Sequence, residues 1–141
     1  MEFHKGRLID HVHLIVSDVK ASKRFYRAIL EVIGISFGGE DEGYFWADEL
    51  FVNQGEVPTS HLHLAFQVHN RETVHRFHDV ALSVGGRDNG APGERRYHPG
   101  YYGAFALDPD DNNIEAVYHG PAQRSAASVV LVPDLQDPHL R

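Results

Sequence analysis

The sequence predicts an α+β fold made of two tandem copies of one unit, each with a strand, a helix and two or three further strands. Two observations lead to this prediction. The strand-like segments at 8–16 (L-I-D-H-V-H-L-I-V) and 62–68 (L-H-L-A-F-Q-V) are followed by amphipathic helices over 18–31 and 71–83. The two helices also align at one constant spacing, which indicates an internal duplication.

The spacing of the duplication is 52 residues. It separates Asp18 from Asn70, Phe25 from Phe77, Leu30 from Leu82 and Gly34 from Gly86. Asp and Asn are typical residues at the start of a helix, and glycine commonly ends one. The same spacing pairs His11 with His63, whereas His11 and His61 are 50 residues apart. We therefore expect one matched histidine in each half.

Short strands are predicted after each helix. In the first half they are I-S-F-G-G-E-D and Y-F-W-A-D-E-L-F-V-N-Q-G; in the second they are Y-Y-G-A-F-A-L-D and I-E-A-V-Y-H, joined by the turn P-D-D-N-N. The link R-D-N-G-A-P-G-E-R-R-Y-H-P-G is predicted to have no regular structure because of its glycines and prolines. A loop of this length in a compact domain is often functional.

The elements predict a single domain over residues 1–120, with module 1 at about 7–57 and module 2 at about 60–119. The remaining tail, 121–141, contains a short apolar run at 129–132. Two interpretations of this run stay open: an extra edge strand, or a segment that covers a partner subunit.

The composition narrows the class of protein and of site. The chain of 141 residues has 42% hydrophobic and 23% charged residues, which is typical of a globular domain. It has no cysteine, so disulfides, zinc–thiolate sites and thiol catalysis are excluded. A formal charge of −7 argues against nucleic acid as a partner. Without a signal-type or membrane-spanning apolar run, we expect a cytoplasmic protein with no membrane partner.

Histidine is the residue that points to chemistry, with 11 in the chain and two His-x-His stretches on predicted strands. Alternate residues of a strand share a face, so each stretch places two imidazoles side by side. His11, His63 and Glu115 occupy matched places in the duplicated unit and are expected to converge. Two imidazoles and a carboxylate hold a metal while leaving positions open for water or substrate.

Three segments resemble one family: D-H-V-H-L-I-V-S-D-V, H-L-A-F-Q-V and F-A-L-D-P-D-D-N-N-I-E. The resemblance is to the vicinal oxygen chelate superfamily, which includes glyoxalases, bleomycin resistance proteins and extradiol dioxygenases, and it covers roughly residues 8–119. It implies two tandem βαβββ modules that form an open, cupped mixed sheet with helices outside, and a homodimer. It also implies one divalent metal ion, whether Zn, Ni, Mn, Co or Fe(II), held by His11, His63 and Glu115.

A fourth ligand stays open. The segment E-L-F-V-N-Q-G, starting at Glu49, resembles the end of the first module of glyoxalase I, where a glutamate binds the metal. Alternatively, Phe45 and Trp46 form the centre of that strand and a hydrophobic residue takes the ligand position. For His13 and His61 three interpretations stay open: they line the cavity, they are merely exposed to solvent, or they carry protons beside the metal.

The resemblance favours a glyoxalase-like isomerase or lyase that chelates a small substrate through adjacent oxygens and stabilises an enolate-like intermediate. Glu115 or Glu49 is the expected base. In the segment 87–103, Tyr102 or His98 is predicted to donate to an oxyanion, and an arginine to hold a substrate carboxylate. The alternatives are an extradiol-type Fe(II) dioxygenase and a non-catalytic resistance protein that binds an antibiotic.

Overall fold

The computed structural model describes residues 3–134 and residue 136. Its elements, in chain order, are β1 (Phe3–Lys5), β2 (Val12–Val16), α1 (Val19–Ile33), β3 (Gly39–Glu40), β4 (Tyr44–Ala47), β5 (Leu50–Gln54), β6 (His63–Gln67), α2 (Arg71–Ser83), β7 (Arg87–Glu94), β8 (Tyr102–Leu107), β9 (Asn113–Tyr118) and β10 (Val129–Leu131). Residues 135 and 137–141 of the tail lie outside the described residues. No helix in the described part of the chain is long and apolar enough to cross a membrane.

The two halves form two four-stranded mixed sheets of the same topology. The strand orders are β2-β5-β4-β3 in module 1 and β6-β9-β8-β7 in module 2. In each sheet the first strand of the half pairs in parallel with the last, and the other pairings are antiparallel. Each half is therefore a βαβββ module, and the predicted α+β class is confirmed.

The predicted helix starts are confirmed by the backbone hydrogen bonds. The side chain of Asp18 accepts from the backbone N–H groups of residues 20 and 21, and Asn70 accepts from that of Thr73. Phe25 and Phe77, at the same place in the two helices, are both fully buried. The duplication is thus expressed in both the caps and the cores of the helices.

The spacing of 52 does not hold at the helix ends, where the two left-handed glycines are 51 residues apart (34 and 85). Gly34 ends α1 in the left-handed conformation (φ 91°), but in module 2 the left-handed residue is Gly85 (φ 94°), not Gly86. Leu30 is buried, whereas Leu82 is 39% exposed. In the last turn of α2 the buried residue is Ala81 instead.

The segment predicted to be irregular is largely a strand, and that prediction was wrong. Residues Arg87–Glu94 form β7 at the edge of the second sheet. The pairing of β7 with β8 has two register shifts, and Gly90 between them has a φ of 155°. Proline and glycine are tolerated there because an edge strand with bulges needs fewer backbone hydrogen bonds. Of the link, residues 95–100 lie outside the strands.

The tail returns to the start of the chain and pairs with it. β10 pairs antiparallel with β1 in a separate two-stranded sheet, so the apolar run at 129–132 joins neither main sheet. The first predicted strand is shorter than expected, because residues 8–11 lie outside β2. Leu8 is accordingly 90% exposed.

The core lies between the two helices and one face of each sheet. The other face of each sheet points away from this core and carries several of the predicted site residues. We call these the open faces; alternation along the strands assigns their side chains. The open face of module 1 carries His13, Ile15, Tyr44, Trp46, Phe51 and Asn53. The open face of module 2 carries His63, Ala65, Gln67, Phe105, Asn113 and Glu115.

Candidate functional site

The open face of module 2 brings together two of the predicted ligands, His63 and Glu115. Ala65 is the direct partner of Glu115 in the parallel pair β6–β9, and His63 lies two residues earlier on the same face. The Nε2 atom of His63 is 2.8 Å from Oε1 of Glu115. The side chain of Glu115 is 1% exposed and that of His63 is 51% exposed. A buried carboxylate thus lies behind an imidazole that solvent can reach.

Tyr101 is the third member of this cluster. Its hydroxyl donates to Oε2 of Glu115. Burial raises the pKa of Tyr101 above that of free tyrosine, and the bond to Glu115 adds to the effect. The phenol is therefore protonated at neutral pH and acts as a donor. Gly103 leaves room for the carboxylate, since a Cβ there would lie 2.9 Å from Oε2 of Glu115.

The side chain of Tyr102, which was predicted as an oxyanion donor, lies on the face of β8 opposite to that of Glu115. Its hydroxyl is 2.7 Å from Nε2 of His75, and the guanidinium of Arg71 lies 4.4 Å from its ring centre. Strand alternation was the available signal for Tyr101. Phe105 faces Glu115 across β8–β9, and Tyr101 lies four residues before Phe105, so it has the same orientation.

His98 contacts the cluster through Tyr101 alone among the contacts described. Its ring centre is 5.4 Å from that of Tyr101, and its Nε2 is 2.9 Å from Nδ1 of His119, on which it stacks. Nδ1 of His98 is 2.8 Å from the carbonyl oxygen of Pro99. His98 is exposed, so it lies at the rim of the module 2 face.

The arginines of the link were predicted to hold a substrate carboxylate. The guanidinium of Arg95 donates to the carbonyl oxygens of Ala91 and Glu94, and it lies 5.2 Å from the ring centre of Phe105. Arg96 is exposed. Arg95 therefore contacts the open face of module 2 through the ring of Phe105.

His11 and Glu49 lie together on module 1. The backbone N–H of Val12 donates to the carbonyl oxygen of Glu49, which extends the β2–β5 ladder to the rung of His11. Nδ1 of His11 is 2.7 Å from Oδ1 of Asp10. A cavity of about 370 Å³ opens here, lined by His11, His13, Trp46, Asp48, Glu49, Leu50 and Phe51.

Comparison of the two sheets shows which residue of module 1 matches Glu115. His13 pairs with Phe51 across β2–β5, and Ala65, 52 residues after His13, pairs with Glu115 across β6–β9. Phe51 therefore stands in module 1 where Glu115 stands in module 2, and Glu49 lies two residues earlier. The last strand of module 1 is β5, the segment of the Glu49 interpretation, whereas Phe45 and Trp46 lie on β4. The hydrophobic residue that matches Glu115 is thus Phe51, which neither interpretation named.

The two remaining histidines of the His-x-His stretches differ in their surroundings. Nε2 of His13 is 2.5 Å from Oδ1 of Asn53, and its ring meets Phe51 edge-on. His61 has a φ of 63° and precedes β6. His61 and His63 are therefore not alternate residues of one regular strand, and the expectation that they share a face was wrong.

The residues predicted as metal ligands lie in two separate groups rather than in one cluster. Among the described residues, no group of three or more His, Asp or Glu side chains is close enough to hold a metal ion. His63 and Glu115 belong to module 2, and His11 and Glu49 to module 1. Their nitrogen and oxygen donors suit a borderline divalent metal. The buried carboxylate of Glu115 also fits a cation, because the partners described for it are an imidazole and a phenol.

Comparisons with known proteins agree with the fold. The model of the Glyoxalase/Bleomycin resistance protein/Dioxygenase superfamily matches residues 8–116. A glyoxalase/bleomycin resistance protein from Albidiferax ferrireducens T118 is 28% identical, with a TM-score of 0.65, and the match covers 77% of this chain and 96% of that one. No curated protein matches the chain.

Two further solved structures share the fold at lower identity. A glyoxalase-related enzyme from Fulvimarina pelagi is 17% identical with a TM-score of 0.67, and the match covers 89% of this chain and 98% of that one. The fosfomycin resistance protein FosX from Listeria monocytogenes is 18% identical with a TM-score of 0.57, covering 81% and 92%.

Proposed function

Because the chain belongs to the Glyoxalase/Bleomycin resistance protein/Dioxygenase superfamily, we propose that it is a divalent-metal-dependent enzyme acting on a small substrate bound through two adjacent oxygens. The observation that carries the proposal is the contact between His63 and Glu115. The 2.8 Å distance joins a solvent-reachable imidazole to a carboxylate that is 1% exposed. Burial of a carboxylate is costly unless a cation or a proton compensates its charge.

The proposed metal ligands are His11, His63 and Glu115. Glu49 is placed beside the centre rather than in it, because Phe51 occupies the rung that matches Glu115. When bound, a divalent metal supplies Lewis-acid stabilisation of the negative charge that develops on the substrate oxygens. A ligand set of three leaves coordination positions for those oxygens.

The proposed centre forms between two copies of the chain. The ligand residues of one chain lie on two separate sheets, and its described residues contain no group of three. A homodimer in which module 1 of one copy faces module 2 of the other would complete two equivalent centres. The dimer is thus part of the proposal, because each centre takes ligands from both copies.

Two further side chains are proposed to act at the centre, Glu49 as the base and Tyr101 as a positioning residue. Glu49, on the rung of His11, would accept a proton from the carbon next to the chelated oxygens and return it to a neighbouring carbon. Tyr101, protonated and bonded to Glu115, would fix the orientation of that carboxylate. Tyr101 therefore replaces Tyr102 among the residues proposed for the site, as a group that positions Glu115 rather than as a donor to an oxyanion. The reaction class is proton transfer of the isomerase or lyase type.

The test is metal binding to chelator-treated protein, measured by isothermal titration calorimetry with Zn²⁺ and Mn²⁺. We expect one site per chain, lost in His63→Asn and in Glu115→Gln. His61→Asn is the matched control, since asparagine tolerates the positive φ at that position. Equal binding by the His63→Asn variant and the wild type would refute the ligand set, and absence of any tight site would favour the non-catalytic binding protein.

The extradiol-type dioxygenase draws on the same three ligands, and oxygen separates it from the proposed activity. Protein loaded anaerobically with Fe(II) is mixed with a catechol, and oxygen uptake is followed. Stoichiometric uptake that depends on His63 would favour the dioxygenase. If no oxygen is taken up, the dioxygenase is excluded for that catechol and the proton-transfer reaction is retained.

A further inference from the structure

The open face of module 1 carries an aromatic surface, which we call the ring platform: Tyr44, Trp46 and Phe51. Phe51 and Trp46 are direct partners across β4–β5, and the rings of Tyr44 and Phe51 stack with centres 5.8 Å apart. All three side chains are only partly buried, in contrast to the fully buried Phe45 between them. Three adjacent rings thus remain on a face that the core does not use.

Two glycines seat Trp46 on this face. A Cβ at Gly38 would lie 2.3 Å from the indole ring, and one at Gly39 would lie 2.5 Å from its Nε1. Only glycine allows such close contact, so the indole rests directly on the backbone of this segment. Trp46 is therefore held in place by this backbone and lines the cavity.

The cavity beside the ring platform has a defined size and charge. Its volume of about 370 Å³ lies within the range of about 300–1,000 Å³ that holds small ligands. Of the residues that line it, Asp48 and Glu49 are acidic and none is Lys or Arg. In the metal-free protein, these two side chains would repel carboxylate, sulfonate or phosphate groups on a ligand. His11 lies in the same lining, so the proposed metal end and the ring platform share one cavity.

We propose that the ring platform binds the planar aromatic ring of the substrate, and that this substrate carries no anionic group on its ring. This inference rests on the proposed function, because the adjacent oxygens of the same molecule would reach the metal at His11. Trp46 and Phe51 provide faces for offset or edge-on packing, which aromatic rings prefer. Phe51 thus provides an aromatic contact at the position of module 1 that corresponds to Glu115, a proposed metal ligand, in module 2.

The test compares three diols in metal-free protein by nuclear magnetic resonance. Naphthalene-2,3-diol is planar, decahydronaphthalene-2,3-diol has the same skeleton but is saturated, and 2,3-dihydroxynaphthalene-6-sulfonate is planar and anionic. Trp46 is the chain's single tryptophan, so its indole N–H gives an unambiguous signal. We expect the planar neutral diol to shift this signal and to bind about tenfold more tightly than either of the others.

Variants show whether the ring platform causes the preference for the planar diol. Phe51→Leu keeps an apolar side chain but removes the ring, and should abolish the preference for the planar diol. Tyr97→Leu is the control, because Tyr97 is 70% exposed and lies outside the cavity lining. Equal affinity for the planar and saturated diols, or a preference retained in Phe51→Leu, would overturn the inference.

Two outcomes separate this inference from the proposed function. Ring preference in the metal-free protein measures the platform, whereas the gain in diol affinity on adding Zn²⁺ measures chelation. If the ring preference is absent but Zn²⁺ still raises diol affinity, the ring platform alone is refuted. If the ring preference is present but Zn²⁺ does not raise diol affinity, the metal centre is refuted.

Discussion

The phenolic hydroxyl of Tyr26 on α1 donates to Oδ2 of Asp108 at 2.5 Å, and this bond joins module 1 to the β8–β9 turn of module 2. Both residues are buried, and Asp108 also accepts from the backbone N–H groups of Asp110 and Asn112. Asp110 in turn accepts from Ser17. The D-P-D-D-N-N turn, whose motif pointed to the family, is therefore a clamp between the modules.

Replacing Tyr26 with Phe should lower the free energy of unfolding by about 1–3 kcal/mol, because Asp108 loses a buried donor. Chemical denaturation at neutral pH measures this loss. Tyr97→Phe, at a position 70% exposed, should leave stability unchanged. A Tyr26→Phe variant as stable as the wild type would show that the clamp holds without the phenol.

The same variant should alter the alkaline dependence of stability. Burial, followed by the charge of Asp108, raises the pKa of Tyr26 well above its ordinary value of 10.0. A raised folded-state pKa gives stability that is complete below the unfolded pKa and is lost as pH rises above it. The difference in stability between wild type and Tyr26→Phe should therefore shrink above pH ~10. A constant difference between pH 8 and 11 would contradict this assignment.

Tyr101 and Tyr102 should separate in a pair of matched substitutions. Tyr101→Phe removes the hydroxyl that fixes Glu115, so Zn²⁺ affinity should fall by about 10- to 100-fold, the range seen for groups that orient ligands. Tyr102→Phe removes a bond to His75 on the other face and should change stability by about 1 kcal/mol, but not metal affinity. Calorimetric titration and thermal unfolding of both variants measure the two effects, and a Tyr101→Phe variant that binds Zn²⁺ as tightly as the wild type would contradict the role proposed for Tyr101.

Glu49 and Glu115 should also differ. Glu115→Gln should reduce Zn²⁺ affinity by roughly 100-fold or more, since a charged ligand is lost. Glu49→Gln should leave affinity within a few-fold of wild type, because Phe51 rather than Glu49 matches Glu115. Because Glu49 is the proposed base, Glu49→Gln should also abolish proton exchange at the carbon of a bound substrate. A large loss of metal affinity in Glu49→Gln would establish the four-ligand set.

The sequence predicted those features that local chemistry determines. Asp18 and Asn70 cap the helices because their side chains bond to nearby N–H groups, and such bonds depend on a few neighbouring residues. Local patterns failed where backbone irregularity intervenes. The positive φ of His61 ends the alternation that placed it beside His63, and the bulges around Gly90 allow a strand through a segment rich in glycine and proline.

The candidate site was harder to predict because its parts come from separate sheets. Tyr101 was missed by one residue, since the start of β8 decides which of two adjacent tyrosines faces Glu115. The duplication matched His11 with His63, but a match along the chain does not say whether the two side chains meet within one copy. That question concerns the packing of modules, which the periodicity of a strand does not encode.

Mixing two inactive variants tests whether each centre is shared between copies. In a dimer of His11→Asn with His63→Asn, one shared centre lacks both histidines and the other keeps the full set, because its His11 and His63 come from different chains. Unfolding and refolding an equal mixture should therefore restore about one quarter of the wild-type metal sites, since about half of the dimers are mixed. Each variant refolded alone should bind no metal. If the centre formed within one chain, every centre in the mixture would lack one histidine and no tight site would return.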